Sequence, residues 1–178
     1  MSTSLPYMLA FCRIAVGLVF AISFGGKVLD IPTFTQAIGR FHILPERINR
    51  LAALLFLSGE LTVIVLMILG GRLLGPGFGL AIFLLLIFCM ALVSALIKRV
   101  KVSCNCFGPS EKPVSLYDVW RNVGFILCAL SGWGTLVIVP QVRGGLGVMD
   151  WVLVAPSAAA FVALWTQIES IVRLFRQS

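Results

Sequence analysis

The sequence predicts an all-α integral membrane protein: a bundle of four core transmembrane helices, joined by a fifth C-terminal span and a short interfacial helix. Three observations carry that expectation. Of the 178 residues, 60% are hydrophobic and 12% are charged, about half the charged share of a soluble domain. Mean hydropathy is +1.05, and apolar runs of about twenty residues recur too often for the interior of one globule. The net charge of +7 comes from Lys and Arg placed between the apolar runs, as in membrane proteins, so the expected partner is a lipid bilayer and not a nucleic acid.

The first run extends from about Met8 to Phe24, is interrupted by Arg13, and is expected to end at Gly25-Gly26-Lys27, with Asp30 and Pro32 beyond. The preceding residues lack the basic region and small-residue cleavage site of a signal peptide, so this run is expected to stay as a membrane helix. Residues 33–44 place Phe34, Ile38 and Phe41 at spacings of four and three, which predicts an amphipathic helix in the interface, closed by Pro45. A second span, about Leu51 to Leu69, carries Glu60 near its middle. Gly70-Gly71-Arg72 and Gly75-Pro76-Gly77 read as a turn, and a third span follows from Phe78 to Ile97. Ser115 is placed to cap a fourth helix, with Asp118 three positions on. That helix passes Trp120 and Arg121 and continues to about Val139. Asp150-Trp151 opens the fifth span, near whose end Glu169 and Arg173 are spaced to pair.

These elements suggest a four-helix membrane domain over 1–140 and an added helix with a basic tail over 141–178. By the distribution of Lys and Arg, the loop after the third span faces the cytoplasm. That loop contains Cys104-Asn105-Cys106-Phe107-Gly108, and stable dithiol oxidation belongs to the outer compartment. Three readings reconcile the two: the basic residues serve the site and mislead the rule, the cysteines work reduced, or the fifth span is not a crossing.

The cysteine pair is the main candidate site. Thiols at i and i+2 of a bent chain come within disulfide range, whereas a helix points them apart, and Gly108-Pro109 opposes helical continuation. Lys101 and Lys112 favour the reactive thiolate. Cys104 and Cys106 are therefore read as a thiol–disulfide relay, with a fixed staple as the alternative. Zinc would want four ligands, and no second pair supplies them; Cu(I) could use two thiolates with Met67 or Met90. Cys12, Cys89 and Cys128 lie in apolar runs and read as small hydrophobes. His42 reads as a surface side chain, and Trp120, Trp133, Trp151 and Trp165 as interface anchors.

Glu60 in mid-membrane must be paired or protonated and face the bundle interior. Arg13 is expected at comparable depth, with Lys27 reaching from the other side. The cluster serves either as a structural ion pair or as a proton-handling group. Arg121 is expected to snorkel to head groups or hold an anion near the cysteines.

Arg13-Ile14-Ala15-Val16-Gly17, Phe20 and Gly25-Gly26-Lys27-Val28-Leu29-Asp30 resemble the opening helix of the DoxX-like membrane proteins. Phe41-His42-Ile43-Leu44-Pro45, Gly59-Glu60, the Cys104–Gly108 stretch and residues 115–122 resemble the MauE branch, the methylamine utilisation membrane proteins, over about residues 10–130. Asn105 stands where that family usually has glycine, which stiffens the loop and keeps the thiol spacing. The resemblance implies a multi-pass bacterial inner-membrane protein that helps mature an exported, disulfide-containing client, in the family the small subunit of methylamine dehydrogenase, with a thioredoxin-like partner. The chain would then act as a thiol–disulfide oxidoreductase. A membrane quinone is a natural electron carrier for such a dithiol, although no motif marks a quinone site. The competing readings are a non-catalytic anchor or assembly subunit with a structural cysteine staple, and a small-solute or metal transporter, for which only Arg13 and Glu60 offer a polar path.

Overall fold

With no water in the hydrocarbon to satisfy backbone groups, apolar runs of this length are held to helices. A computed structural model of the protein describes residues 4–40, 46–98, 115–138 and 147–167. The helices are α1 (Ser4–Leu29), α2 (Ile31–Arg40), α3 (Glu46–Leu69), α4 (Leu74–Ile97), α5 (Leu116–Ile138) and α6 (Val148–Thr166). Among the described residues, all but α2 are long and apolar enough to cross a membrane.

Helix α1 packs between α3 and α5, and α4 closes the ring by packing on those same two helices. Helix α2 lies on α3, and α6 packs on α1 from outside the ring. The interior of the bundle holds Val16, Val63, Phe78, Ala81, Phe125 and Ala129. Leu55, Ile68, Phe83 and Met90 point outward and are exposed, the reverse of a water-soluble protein and suited to lipid chains. Tyr7 on α1 donates to Asp150 Oδ1 on α6 at 2.8 Å, and Phe11 packs on Phe161 with ring centroids 5.4 Å apart.

The boundaries differ from the expected ones in three places. Helix α1 runs through Gly25-Gly26 to Leu29, because Lys27 is engaged in the bundle interior and keeps the last turn helical. Helix α2 starts at Ile31, where Asp30 Oδ1 accepts the Thr33 N–H at 3.1 Å; Phe41 to Pro45 lie outside the described residues. Gly75-Pro76-Gly77 falls in the first turn of α4, where a proline removes an N–H that has no intrahelical acceptor. The chain reverses instead at Gly70 and Gly71, with φ of 70° and 58°, a conformation that only glycine adopts without strain. The Glu169–Arg173 pair lies outside the described residues. Ser115 and Asp118 meet as expected: Asp118 Oδ2 accepts the Ser115 N–H at 2.9 Å.

Close approach of α1, α4 and α5 depends on Gly132. A Cβ there would stand 2.5 Å from Phe78 Cζ and 3.0 Å from Cys12 Cβ, whereas at Gly134 nothing lies within 4 Å. Gly132→Ala should therefore lose about 1–3 kcal/mol of stability, read as a lower unfolding midpoint in detergent, while Gly134→Ala should not. Equal midpoints for the two variants would refute this packing.

Candidate functional site: a buried ion pair among aromatic rings

Ser23 and Lys27 are spaced i,i+4 and so share one face of α1. Opposite them α3 presents Glu60. Lys27 Nζ donates to Glu60 Oε1 and to Ser23 Oγ, the latter at 2.8 Å, and the Ser23 hydroxyl donates to Glu60 Oε1 at 3.0 Å. The pair is deeply buried, with Lys27 4% and Glu60 2% exposed. Three rings surround the ammonium: Nζ lies 4.7 Å from the centroid of Phe56, 5.3 Å from Phe34 and 5.6 Å from Phe88. The negative ring faces supply part of the stabilisation that a buried cation loses with its water, on the order of 0.5–2 kcal/mol each. Helices α1, α2, α3 and α4 thus all contribute to holding one charge.

Glu60 Oε2 is buried and accepts no hydrogen bond among the described residues. The residue as a whole is also among those lining a small open cleft. One wall is aliphatic and aromatic, with Phe20, Phe88 and Phe125; the other is polar, with Ser23, Lys27 and Glu60 facing Asp118, Arg121 and Asn122 of α5. Asp118 Oδ1 pairs with Arg121 Nη2 at 2.9 Å, and both side chains are mostly covered. Asn122 Nδ2 donates to the Leu85 carbonyl at 2.8 Å, fixing α5 against α4. Each cation facing the cavity has its own carboxylate, so the walls carry compensated charge.

Of the expected polar residues, Lys27, Glu60 and Arg121 come together around this cavity, and Arg13 does not. Its Nε donates to the Met67 carbonyl at 2.6 Å and its Nη2 to the Ile68 carbonyl at 2.8 Å. Arg13 therefore caps the C-terminal end of α3, where a cation is favoured, with Trp151 5.4 Å from its guanidinium. The expectation of comparable depth fails because Glu60 lies two turns back from that end, about 10 Å along the helix. Arg121 turns to Asp118 and the cavity instead of snorkelling. Trp165 is a packing residue and not a free anchor: it donates to the Arg121 carbonyl at 3.1 Å and fills the space beside Gly124. Cys12 and Cys128 are free thiols that lie beside each other between α1 and α5. Cys104 and Cys106 lie outside the described residues.

Sequence reasoning missed Ser23, the three rings and Asn122. The spacing of Ser23 and Lys27 was a readable signal; the rings come from three helices and had none. Breaking the pair should cost about 3–5 kcal/mol, because one charge is left buried alone. Lys27→Met and Glu60→Leu should each lower the unfolding midpoint in detergent, and the double variant should be more stable than either. Additive losses in the double variant would show that the two side chains are independent.

The family model described as Methylamine utilisation protein MauE matches residues 5–136, which takes in α1 through nearly all of α5 and stops before α6. The Methylamine utilization protein MauE of Paracoccus denitrificans is 31% identical over 128 residues, 71% of this chain and 68% of that protein. No solved structure matches. The matched region holds every residue of the ion-pair cluster and its cavity, and the chain belongs to the MauE family.

Proposed function

We propose that this multi-pass membrane protein takes part in thiol–disulfide exchange through Cys104 and Cys106, for the maturation of an exported disulfide-containing protein and with a thioredoxin-like partner. The observation that carries the reading is the Cys104-Asn105-Cys106 dithiol in the segment joining two membrane helices of a MauE-family bundle. The printed name of the relative, a methylamine utilization protein, is consistent with a methylamine dehydrogenase subunit as the client. The setting is the bacterial inner membrane.

In the exchange, a thiolate of the pair attacks a disulfide sulfur, so one S–S bond forms as another breaks and a thiolate leaves. The second cysteine then resolves the mixed disulfide, leaving a Cys104–Cys106 disulfide and two thiols on the partner; the reverse sequence delivers a disulfide. Either way the step conserves electrons without another reactant.

Replacing only the resolving cysteine leaves the mixed disulfide with no exit. One of Cys104→Ser and Cys106→Ser should therefore accumulate a covalent adduct with a thioredoxin-like protein on non-reducing gels, while client maturation falls by at least about a hundredfold. The double variant should form no adduct. Maturation retained in both single variants, with no adduct, would overturn the reading and leave the pair as a structural staple. Labelling intact cells with an impermeant thiol reagent identifies the side that the pair faces.

A further inference from the structure

We infer that Cys12 and Cys128 are an oxidisable pair, which a hydroperoxide dissolved in the surrounding lipid closes into a disulfide tying α1 to α5. The inference goes beyond the exchange proposed for Cys104 and Cys106 and does not rest on it.

The first support is placement. Both cysteines are free thiols, and they lie beside each other across the contact of α1 with α5. Gly132 stands one turn beyond Cys128 on the same face of α5, and a Cβ there would lie 3.0 Å from Cys12 Cβ. Cys12 therefore faces the strip of α5 that carries Cys128. A disulfide needs its two Cα atoms within about 7 Å, and a glycine in the seam lets helix backbones approach that closely.

The second support is access. Cys12 is 3% exposed, whereas Cys128 is only partly buried, and its neighbours Leu127 and Leu130 are exposed. Cys128 lies near the middle of the Leu116–Ile138 span, about 18 Å along α5 from its start. The medium that reaches it there is hydrocarbon. That placement excludes a charged oxidant, or a protein docking at either membrane face, and admits a neutral oxidant dissolved in the lipid.

In the step, the Cys128 sulfur attacks a peroxide oxygen and the O–O bond breaks. The thiol proton goes to the departing alkoxide, leaving an alcohol and a sulfenic acid. The Cys12 sulfur then displaces the sulfenic oxygen, which leaves as water with the Cys12 proton. Two thiols are oxidised to one disulfide, and one hydroperoxide is reduced to an alcohol and water. With the second thiol already beside the first, the closing step is unimolecular, so the sulfenic acid is trapped as the disulfide. The new bond joins the helix of Ser23 and Lys27 to that of Asp118 and Arg121, the two polar walls of the cleft.

The test is oxidation of the full chain by cumene hydroperoxide in nanodiscs of saturated lipid. It uses the Cys104→Ser/Cys106→Ser chain, so that the exchange reading and this one fail separately; peptide mapping of the parent chain reads the same bond. Cys89 is the internal control. Leu85 of α4 meets Asn122 of α5, and Phe78 meets Gly132, so Cys89 lies toward the start of α5 and away from Cys128. Of the three cysteines Cys12, Cys89 and Cys128, only Cys89 should remain alkylatable after denaturation. Mapping should place the disulfide between Cys12 and Cys128, and a phosphine should restore both thiols. The oxidised chain should unfold at a higher temperature than the reduced one, and Cys12→Ala or Cys128→Ala should abolish both the bond and that rise. Three free thiols after exposure that fully oxidises dodecanethiol in the same nanodiscs, a disulfide that includes Cys89, or cross-linking only between chains would each overturn the proposal.

Discussion

A positive charge placed among membrane helices must be neutralised where it stands, and the contact of Lys27 with Glu60 is the constraint on which the bundle depends. Neither residue can slide along its helix without leaving its partner alone in a low-dielectric interior, so the pair fixes the register of α1 against α3. Hydrophobic packing alone sets register weakly in lipid, where the chains outside are as apolar as the side chains inside. The aromatic rings extend the constraint. Phe34 and Phe88 reach the same ammonium from α2 and α4, so the interfacial helix and the third span are positioned by a charge that neither carries.

The bundle is asymmetric along its axis. At one end Arg13 closes the last carbonyls of α3, beside a glycine turn in which a Cβ on Gly70 would lie 2.8 Å from the guanidinium. The interior between is apolar and tightly packed, with Phe78 and Cys12 against Gly132. Lys27, Glu60, Asp118 and Arg121 gather around the cavity, close to the end from which α5 starts. Helix α6 stands apart from this arrangement. It grips α1 through Tyr7 and Phe11 and touches α5 through Trp165, and it contributes no residue to the cavity. The family match, which ends at residue 136, covers every cavity-lining residue and leaves α6 out.

The all-α fold and the number of spans were legible in the sequence because hydropathy reports directly on what lipid demands of a chain. Helix ends were less so. Gly25-Gly26 looks like a stop, yet the helix passes through it, since the contact that holds Lys27 comes from α3 and leaves no local trace. Glu60 was legible as a residue needing a partner, but the identity of that partner was not. Counting residues along antiparallel helices put Arg13 and Lys27 on equal terms, and a shift of a few residues in helix packing decides between them. Ser23, Asn122 and the rings are unremarkable in sequence and take their meaning from neighbours on other helices.

Compensated charge also bears on what the protein can exchange with its surroundings. A site of net charge would hold an ion and resist a neutral ligand; one whose cations each have a carboxylate imposes no such selection. One oxygen of Glu60 is left buried without a donor among the described residues, a cost that the ion pair and the rings around it must offset.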